Sequence, residues 1–370
     1  VPIQQATGTY ALMIKLDTQG QLAQSQKGND EGGVLDIQVL SDHGKMILGG
    51  TGLLSRGVSD ACVARGYEVI HFTRGVRPAD PRVKHVQGDR DRPADLAAAA
   101  ALRPDVVIDM LCFTRAQAEA AVAAFGGRVE QLVLCSTACV YDLGALARAP
   151  RLADESTAAS SRWHYGRAKA ECEAAITDAD RRGLFRATIF RPSHVYGDGA
   201  VVHQLGTDGL RVLFRVARGL PVLVLDRGAA RWQACHASDA GVPFAAACLS
   251  PGSYGRIYNV AHGEVLTWID VLRAFGRAVG REPRVVSVPS DVLERRARPD
   301  LDEFALEVGR HGVAVDASRV RAEVPEFRRT VALDDGLRRA FCRAEEPASL
   351  AYDAELDGML ERGVDPVVLA

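Results

Sequence analysis

The chain has 370 residues, 45 Lys and Arg against 47 Asp and Glu, and a formal net charge of −2. That length holds one large domain or a main domain with a smaller one, and the near-zero charge gives no electrostatic support to a nucleic-acid or acidic-membrane partner. No apolar run is long enough to span a bilayer, and residues 1–26 lack the charged start, apolar stretch and cleavage site of a secretory signal. The eight cysteines are scattered and form no Cys-x-x-Cys. Reduced thiols in a cytoplasmic protein are therefore expected rather than a disulfide framework, and no Cys/His set has metal-ligand spacing.

Residues 1–44 are polar, with Gln and Gly clusters, and form an extension to which the sequence gives no role; short strands are expected at 10–16 and 34–40. From Lys45 the pattern changes. Met46-Ile47-Leu48 is a short apolar run that meets a Gly-rich turn at once, and a helix is expected over 57–65, stopped by Gly66. Strands are expected at 68–72 and 83–87, then an Ala-rich helix at 94–102 closed by Pro104. The apolar run at 105–110 suits a strand buried on both faces. A helix over 115–125 ends at Gly126-Gly127, and 131–135 is the next strand. Strands alternating with helices at this spacing predict an α/β fold with a doubly wound parallel Rossmann sheet. After Arg191 the alternation loosens into Gly-, Pro- and Arg-rich segments with helices at 268–279 and 333–341. The expected division is a Rossmann domain over 45–191, a smaller C-terminal substrate-binding lobe over 192–345 with some segments returning to the sheet, and a tail over 346–370.

Gly49-Gly50-Thr51-Gly52-Leu53-Leu54-Ser55 follows a strand and opens a helix. Glycines there let the backbone approach a diphosphate, and the helix N-terminus supplies free N–H groups and partial positive charge. Serine at 55 stands where a third glycine permits close helix–strand packing, so a slightly wider approach is expected. An acidic residue after the second strand would bind the adenosine ribose and indicate NAD. Phe72-Thr73-Arg74 has none, and Arg74, helped by Arg56, suits a 2′-phosphate, so NADP(H) is the expected cofactor with NAD second. Asp89, after the third strand, is a candidate acceptor for the adenine amino group.

Tyr165 and Lys169 are four residues apart in a helical pattern, which puts phenol and ammonium on one face. A free phenol titrates near pH ~10, and a neighbouring ammonium together with a nicotinamide cation favours the phenolate. Tyrosine then exchanges a proton with a substrate oxygen as hydride moves at the carbon. Upstream, Ser136 and Thr137 end a strand, and Thr137 offers a hydroxyl to the same oxygen. Gly-rich turn, strand-end Ser-Thr and Tyr-x-x-x-Lys in that order are far more specific than any one of them.

From about Lys45 to about Phe341 the chain resembles the extended short-chain dehydrogenase/reductases of the NAD-dependent epimerase/dehydratase family. The resemblance rests on Gly49-Gly50-Thr51-Gly52, on 136–141, on Tyr165-x-x-x-Lys169, on Arg191-Pro192-Ser193-His194-Val195-Tyr196-Gly197, and on later segments at 231–239 and 258–260. It implies Thr137 as catalytic hydroxyl, Tyr165 as acid–base and Lys169 as anchor of the nicotinamide ribose. It places Leu111 and Cys112 beside the cofactor and Pro192 to Val195 at the nicotinamide. Arg231 then matches an arginine that binds a substrate diphosphate in nucleotide-sugar members, and Ser136 and His194 become candidate substrate contacts. It further implies a homodimer joined by the helices at 115–125 and 165–176. Two departures stand out besides Ser55: Leu111-Cys112 is bulkier than the usual pair, and Ala138-Cys139 replaces the Asp-Glu needed for 4,6-dehydration.

The functional expectation is hydride transfer at a hydroxyl or keto carbon, by a nucleotide-sugar epimerase or keto-sugar reductase. An NADP-dependent ketoreductase of secondary metabolism comes second. The Tyr-Gly-Arg-x-Lys form also resembles an atypical branch that includes chloroplast stem-loop-binding proteins. The neutral charge and the intact Thr–Tyr–Lys set weigh against such a nucleotide- or RNA-binding role.

Overall fold

A computed structural model describes residues 44–149, 151–206, 209–291, 303–352, 357–358 and 366–367. The strands expected at 10–16 and 34–40 lie outside the described residues. The main body alternates strand and helix: β1 Lys45–Leu48, α1 Leu53–Ala64, β2 Val69–Thr73, β3 Lys84–Gln87, α2 Pro93–Ala101, β4 Val106–Asp109, α3 Arg115–Phe125 and β5 Gln131–Cys135. The short helix α4 Leu143–Arg148 and the long α5 His164–Arg181 follow, then β6 Arg186–Pro192. Much later, α7 (Ala237–Ala247) and β11 (Arg256–Val260) return to the same body. The seven strands are all parallel, in the order β11-β6-β5-β4-β1-β2-β3, so the chain reverses direction across the sheet between β1 and β4. Such a sheet places its ligand crevice at the carboxyl ends of those two strands.

Side chains of the central strands are buried on both faces. Ile47, Ile108 and Val133 point to one layer with Val58 and Cys62 of α1 and Phe244 of α7. Met46, Leu48, Val107 and Leu134 point to the other with Leu96 of α2, Phe125 of α3 and Ile176 of α5. This is the period-2 split that an apolar parallel strand predicts. Helix α1 starts at Leu53, earlier than expected, because Gly57 is a packing position inside the helix and not its start. A Cβ at Gly57 would overlap the Ala237 carbonyl oxygen, and one at Gly241 would overlap the Gly57 backbone. The two helices therefore cross at backbone contact, and the close approach sits two residues beyond Ser55.

The smaller lobe is built from β7 His194–Tyr196, α6 Gly209–Ala217, β8 Val222–Leu225, β9 Arg231–Trp232, β10 Ala234–His236, β12 Leu266–Thr267, α8 Trp268–Val279 and β13 Val285–Val288. It is completed by β14 Gly312–Val313, α9 Ser318–Glu323 and α10 Leu333–Arg343. Its core packs Trp232, Trp268, Phe275 and Leu337 together. Helix α8 is bounded by its own sequence: Thr267 and Asp270 form a capping box, and Gly280 ends it in the left-handed region. The final segment is not a free tail where it is described. Tyr352 accepts a hydrogen bond from the Leu223 amide (3.2 Å), and β15 (Pro366–Val367) pairs antiparallel with β13. Among the described residues no helix is long and apolar enough to cross a membrane.

Candidate active site

The turn after β1 takes the backbone through the left-handed region at Gly49 (φ +116°) and Gly50 (φ +75°), where side chains are strained. A Cβ at Gly50 would also meet the His71 ring. Gly52 is the N-cap of α1 and brings no side chain to cap the first turn, which carries no acidic residue either. Its N–H groups therefore stand ready for an external anion. They open on a cavity of about 530 Å³ lined by Gly49, Thr51, Gly52, Ser55, Arg74, Arg77, Asp89, Arg90, Leu111, Phe113 and Gln117, among others. A cavity with unfilled helix N–H groups at its base fits a dinucleotide.

Several expected cofactor residues line this cavity and others do not. Asp89 is there, with Oδ1 accepting the Asp91 amide at 3.0 Å. Leu111 is there too, its amide held by Asp109 Oδ1 at 3.0 Å. The Cys112 thiol is buried away from the cavity, and that residue contributes its carbonyl instead. Leu53 and Leu54 supply first-turn backbone, while the Leu54 side chain packs toward the core. Pro192 lies in β6 paired with Val260, and Val195 in β7 paired with Cys235; neither lines the cavity.

Thr137 ends the segment after β5 and caps a 3₁₀ turn over Ala138–Val140, its Oγ1 accepting the Cys139 amide at 3.2 Å. The Tyr165 phenol, in the first turn of α5, lies near the Thr137 hydroxyl. Burial pushes its pKa well above the usual phenol value, and the nearby hydroxyl offsets the rise only in part. The expected depression by Lys169 is not seen in the protein alone, where desolvation dominates. Lys169 is buried and donates to the carbonyls of Cys112 (2.7 Å) and Cys135 (2.6 Å), with Phe113 over its ammonium at 5.3 Å. Thr137, Tyr165 and Lys169 converge on the carboxyl ends of β4 and β5.

The three expected substrate contacts each have contacts within the protein. The Ser136 hydroxyl is buried and donates to Glu173 Oε1 at 2.5 Å. Glu173 in turn holds Arg191 in a bidentate pair (2.9 and 2.6 Å), and Arg191 donates to the Tyr141 hydroxyl at 2.9 Å. Arg231 is the second: its Nη2 donates to the Leu146 carbonyl at 2.5 Å and lies 3.4 Å from those of Ala147 and Ala149, tying the lobe to α4. His194 is the third, stacked on Trp232 (centroids 5.9 Å) with its pKa pushed down to about 3 by burial. Its Nε2 is buried and has no hydrogen-bond partner among the described residues.

The sequence reading missed the Arg90–Asp109 pair. Arg90 Nη2 donates to Asp109 Oδ2 at 2.6 Å, and both side chains are buried at the floor of the cavity. The signal was available, because a carboxylate ending an apolar strand demands a partner.

The family model of the NAD dependent epimerase/dehydratase family matches residues 46–261. The 2'-dehydrokanamycin reductase of Streptomyces kanamyceticus is 31% identical over 286 residues, spanning 76% of this chain and 79% of the relative. A chloroplast stem-loop binding protein of 41 kDa (b) from Arabidopsis thaliana is 26% identical over 285 residues, 72% of this chain and 71% of the relative. The fold is that of Thermus thermophilus UDP-glucose 4-epimerase solved with NAD, with a TM-score of 0.64 at 22% identity, covering 81% of this chain and 98% of that one. These findings overturn the expectation of NADP: the matched family is NAD dependent, and the Thermus enzyme carries NAD. Arg74 itself is exposed, and among the described residues nothing holds its guanidinium in place for a 2′-phosphate. The chain belongs to the NAD dependent epimerase/dehydratase family.

Proposed function

We propose that this enzyme reduces a ketone on a sugar ring to the alcohol, with NADH as hydride donor. One observation carries the direction: the relative at 31% identity over 286 residues is named as a reductase. Burial agrees with it in keeping the Tyr165 phenol protonated at neutral pH. A protonated phenol is an acid, suited to an oxygen that gains charge. A bound NADH would supply the hydride that the carbonyl carbon gains, becoming NAD. Tyr165 passes its phenolic proton to the carbonyl oxygen as the C=O π bond opens, so alkoxide becomes hydroxyl. The Thr137 hydroxyl holds that oxygen beside the phenol. Lys169 stabilises the phenolate left behind, which regains its proton from water.

The substrate class draws on the Streptomyces relative, whose name describes reduction of a dehydro-sugar antibiotic. Arg231, tied to the carbonyls of α4, is not poised to grip a nucleotide diphosphate, which supports a sugar without that group. The reading includes a cytoplasmic homodimer joined through α3 and α5, for which sedimentation equilibrium is the check.

The test is NADH oxidation with a panel of keto-sugars. Tyr165→Phe, which keeps the ring and removes the proton, should lower kcat by roughly 100-fold or more while nucleotide affinity stays within twofold. Full activity in that variant rejects the mechanism. Tightly retained NAD that never exchanges, with interconversion of sugar epimers, points to epimerisation instead.

A further inference from the structure

Tyr165 is the second residue of α5, two positions after the N-cap, Trp163. A helical side chain leans back toward the N-terminus, so the phenol ring is turned toward the cap residue. The rings of Trp163 and Tyr165, both half-buried, pack at 4.9 Å between centroids with a tilt of 50°, within the range of a specific aromatic pair. The indole also meets Phe304 edge-on at 6.1 Å, where the π-helical turn Ala305–Gly309 begins, and the His164 ring at 6.2 Å. Its backbone is fixed: the Trp163 amide donates to Ser161 Oγ at 3.3 Å, and the carbonyl accepts the Arg167 amide at 3.0 Å. A Cβ at Gly166 would overlap the Cys139 carbonyl oxygen, so the first turn of α5 lies directly against the turn that Thr137 caps.

Local rules disfavour tryptophan at this position. An N-cap gains from Ser, Thr, Asp or Asn, and Trp163 gives the first turn no side-chain hydrogen bond. Its Nε1 is buried with no hydrogen-bond partner among the described residues, which lowers stability further. Local preference gives way chiefly where a site requires it, and here the ring lies against the reacting phenol. We propose that Trp163 is a positioning residue for Tyr165: its ring sets the direction of the phenol beside Thr137 and screens it from water. This rests on the reading that Tyr165 is the acid of the reaction. The titratable groups around the phenol are the thiols of Cys139 and Cys135 from the β5 side, and the Cys172 thiol and Lys169 ammonium on α5. Glu307 acts on Cys139, and His164, hydrogen-bonded to Glu303 at 2.6 Å, borders the indole. A neutral substitution at Trp163 alters none of these charges, so a change in the acidity of the phenol reports the screen. Removing a screen favours the phenolate and lowers the pH at which it forms.

The experiment is an alkaline titration of the full chain without nucleotide, followed by the ultraviolet absorbance of phenolate. Each chain is measured with Tyr165 and with Tyr165→Phe, and the difference is the titration of Tyr165. Trp163→Ser should bring phenolate formation down by about one pH unit or more, and Trp163→Phe, which keeps a ring over the phenol, by a clearly smaller step. With a keto-sugar that the enzyme reduces, Trp163→Ser should also lower kcat about tenfold or more while KM for NADH stays within twofold. A folded Trp163→Ser chain with the wild-type titration overturns the proposal. So does an equal fall in Trp163→Phe, and so does a wild-type Tyr165 that titrates like a free phenol near pH ~10. If Trp163→Ser does not melt cooperatively, Trp163→Leu decides by the same titration, since it keeps an apolar contact for Phe304 and uncovers the phenol. Failure of the acid reading itself shows differently, as full activity in Tyr165→Phe.

Discussion

Ser136 and Thr137 are neighbours with similar hydroxyls, yet one bonds to a buried carboxylate and the other is the one proposed for the chemistry. Ser136 bonds to Glu173 on α5, and Thr137 lies near Tyr165, eight residues or a little over two turns earlier on the same helix. Ser136→Ala should therefore lower stability by about 1–2 kcal/mol, since Glu173 loses a buried donor, and leave KM within twofold. Thr137→Val should lower kcat by roughly 100-fold with little change in melting temperature. Urea unfolding and steady-state kinetics on both variants check the split; a kcat collapse in Ser136→Ala would contradict it. The Tyr165–Lys169 pair was legible because four residues is one helical turn. The role of Ser136 was not, because its acceptor lies 37 residues away in sequence. Asp109 was half-legible: its need for a partner followed from burial, but nothing in spacing pointed to Arg90.

At the scale of elements, β/α alternation and capping residues set most boundaries. Helix α3 begins after Thr114, which with Gln117 forms a capping box, and β5 and α8 run where apolar periodicity predicts. The start of α1 was misplaced because Gly57 looks like punctuation in a sequence. In three dimensions it is the point where α1 touches α7, a helix 180 residues later whose Gly241 makes the matching approach. Gly57→Ala should force the two helices apart and cost about 3 kcal/mol, read as a fall in the urea midpoint at unchanged slope. A change below about 0.5 kcal/mol would mean that the crossing is loose. The same variant should weaken NAD binding less than stability, because the turn at 49–52 sits at the other side of the helix start.

For the whole molecule, acid stability follows from buried histidines. Burial pushes His71 down to about 4, and His194 and His203 down to about 3. Between pH ~6.5, where unfolded histidine takes a proton, and those lower values, the unfolded chain binds more protons than the folded one. Stability is then fully present above about pH 6.5 and is lost as pH falls, each histidine removing at most about 1.4 kcal/mol per pH unit. Urea unfolding from pH 7.5 to 4.5 should show this decline, and His203→Phe should flatten it. A pH-independent midpoint over that range would show that these rings are hydrated.

The sequence by itself determined the sheet class and the place of the Gly-rich turn, and it singled out Thr137, Tyr165 and Lys169 as the set proposed for the chemistry. Each of these depends on local periodicity or on short spacings that one helix or one turn enforces. Only the tertiary structure decided which protein groups Ser136, Arg231 and His194 touch, and that Arg90 meets Asp109 at the end of β4. Those outcomes depend on which buried polar group finds a partner across the sheet or between the lobes. A hydroxyl, guanidinium or imidazole is offered the same chemistry by substrate and by protein interior, and packing chooses between them.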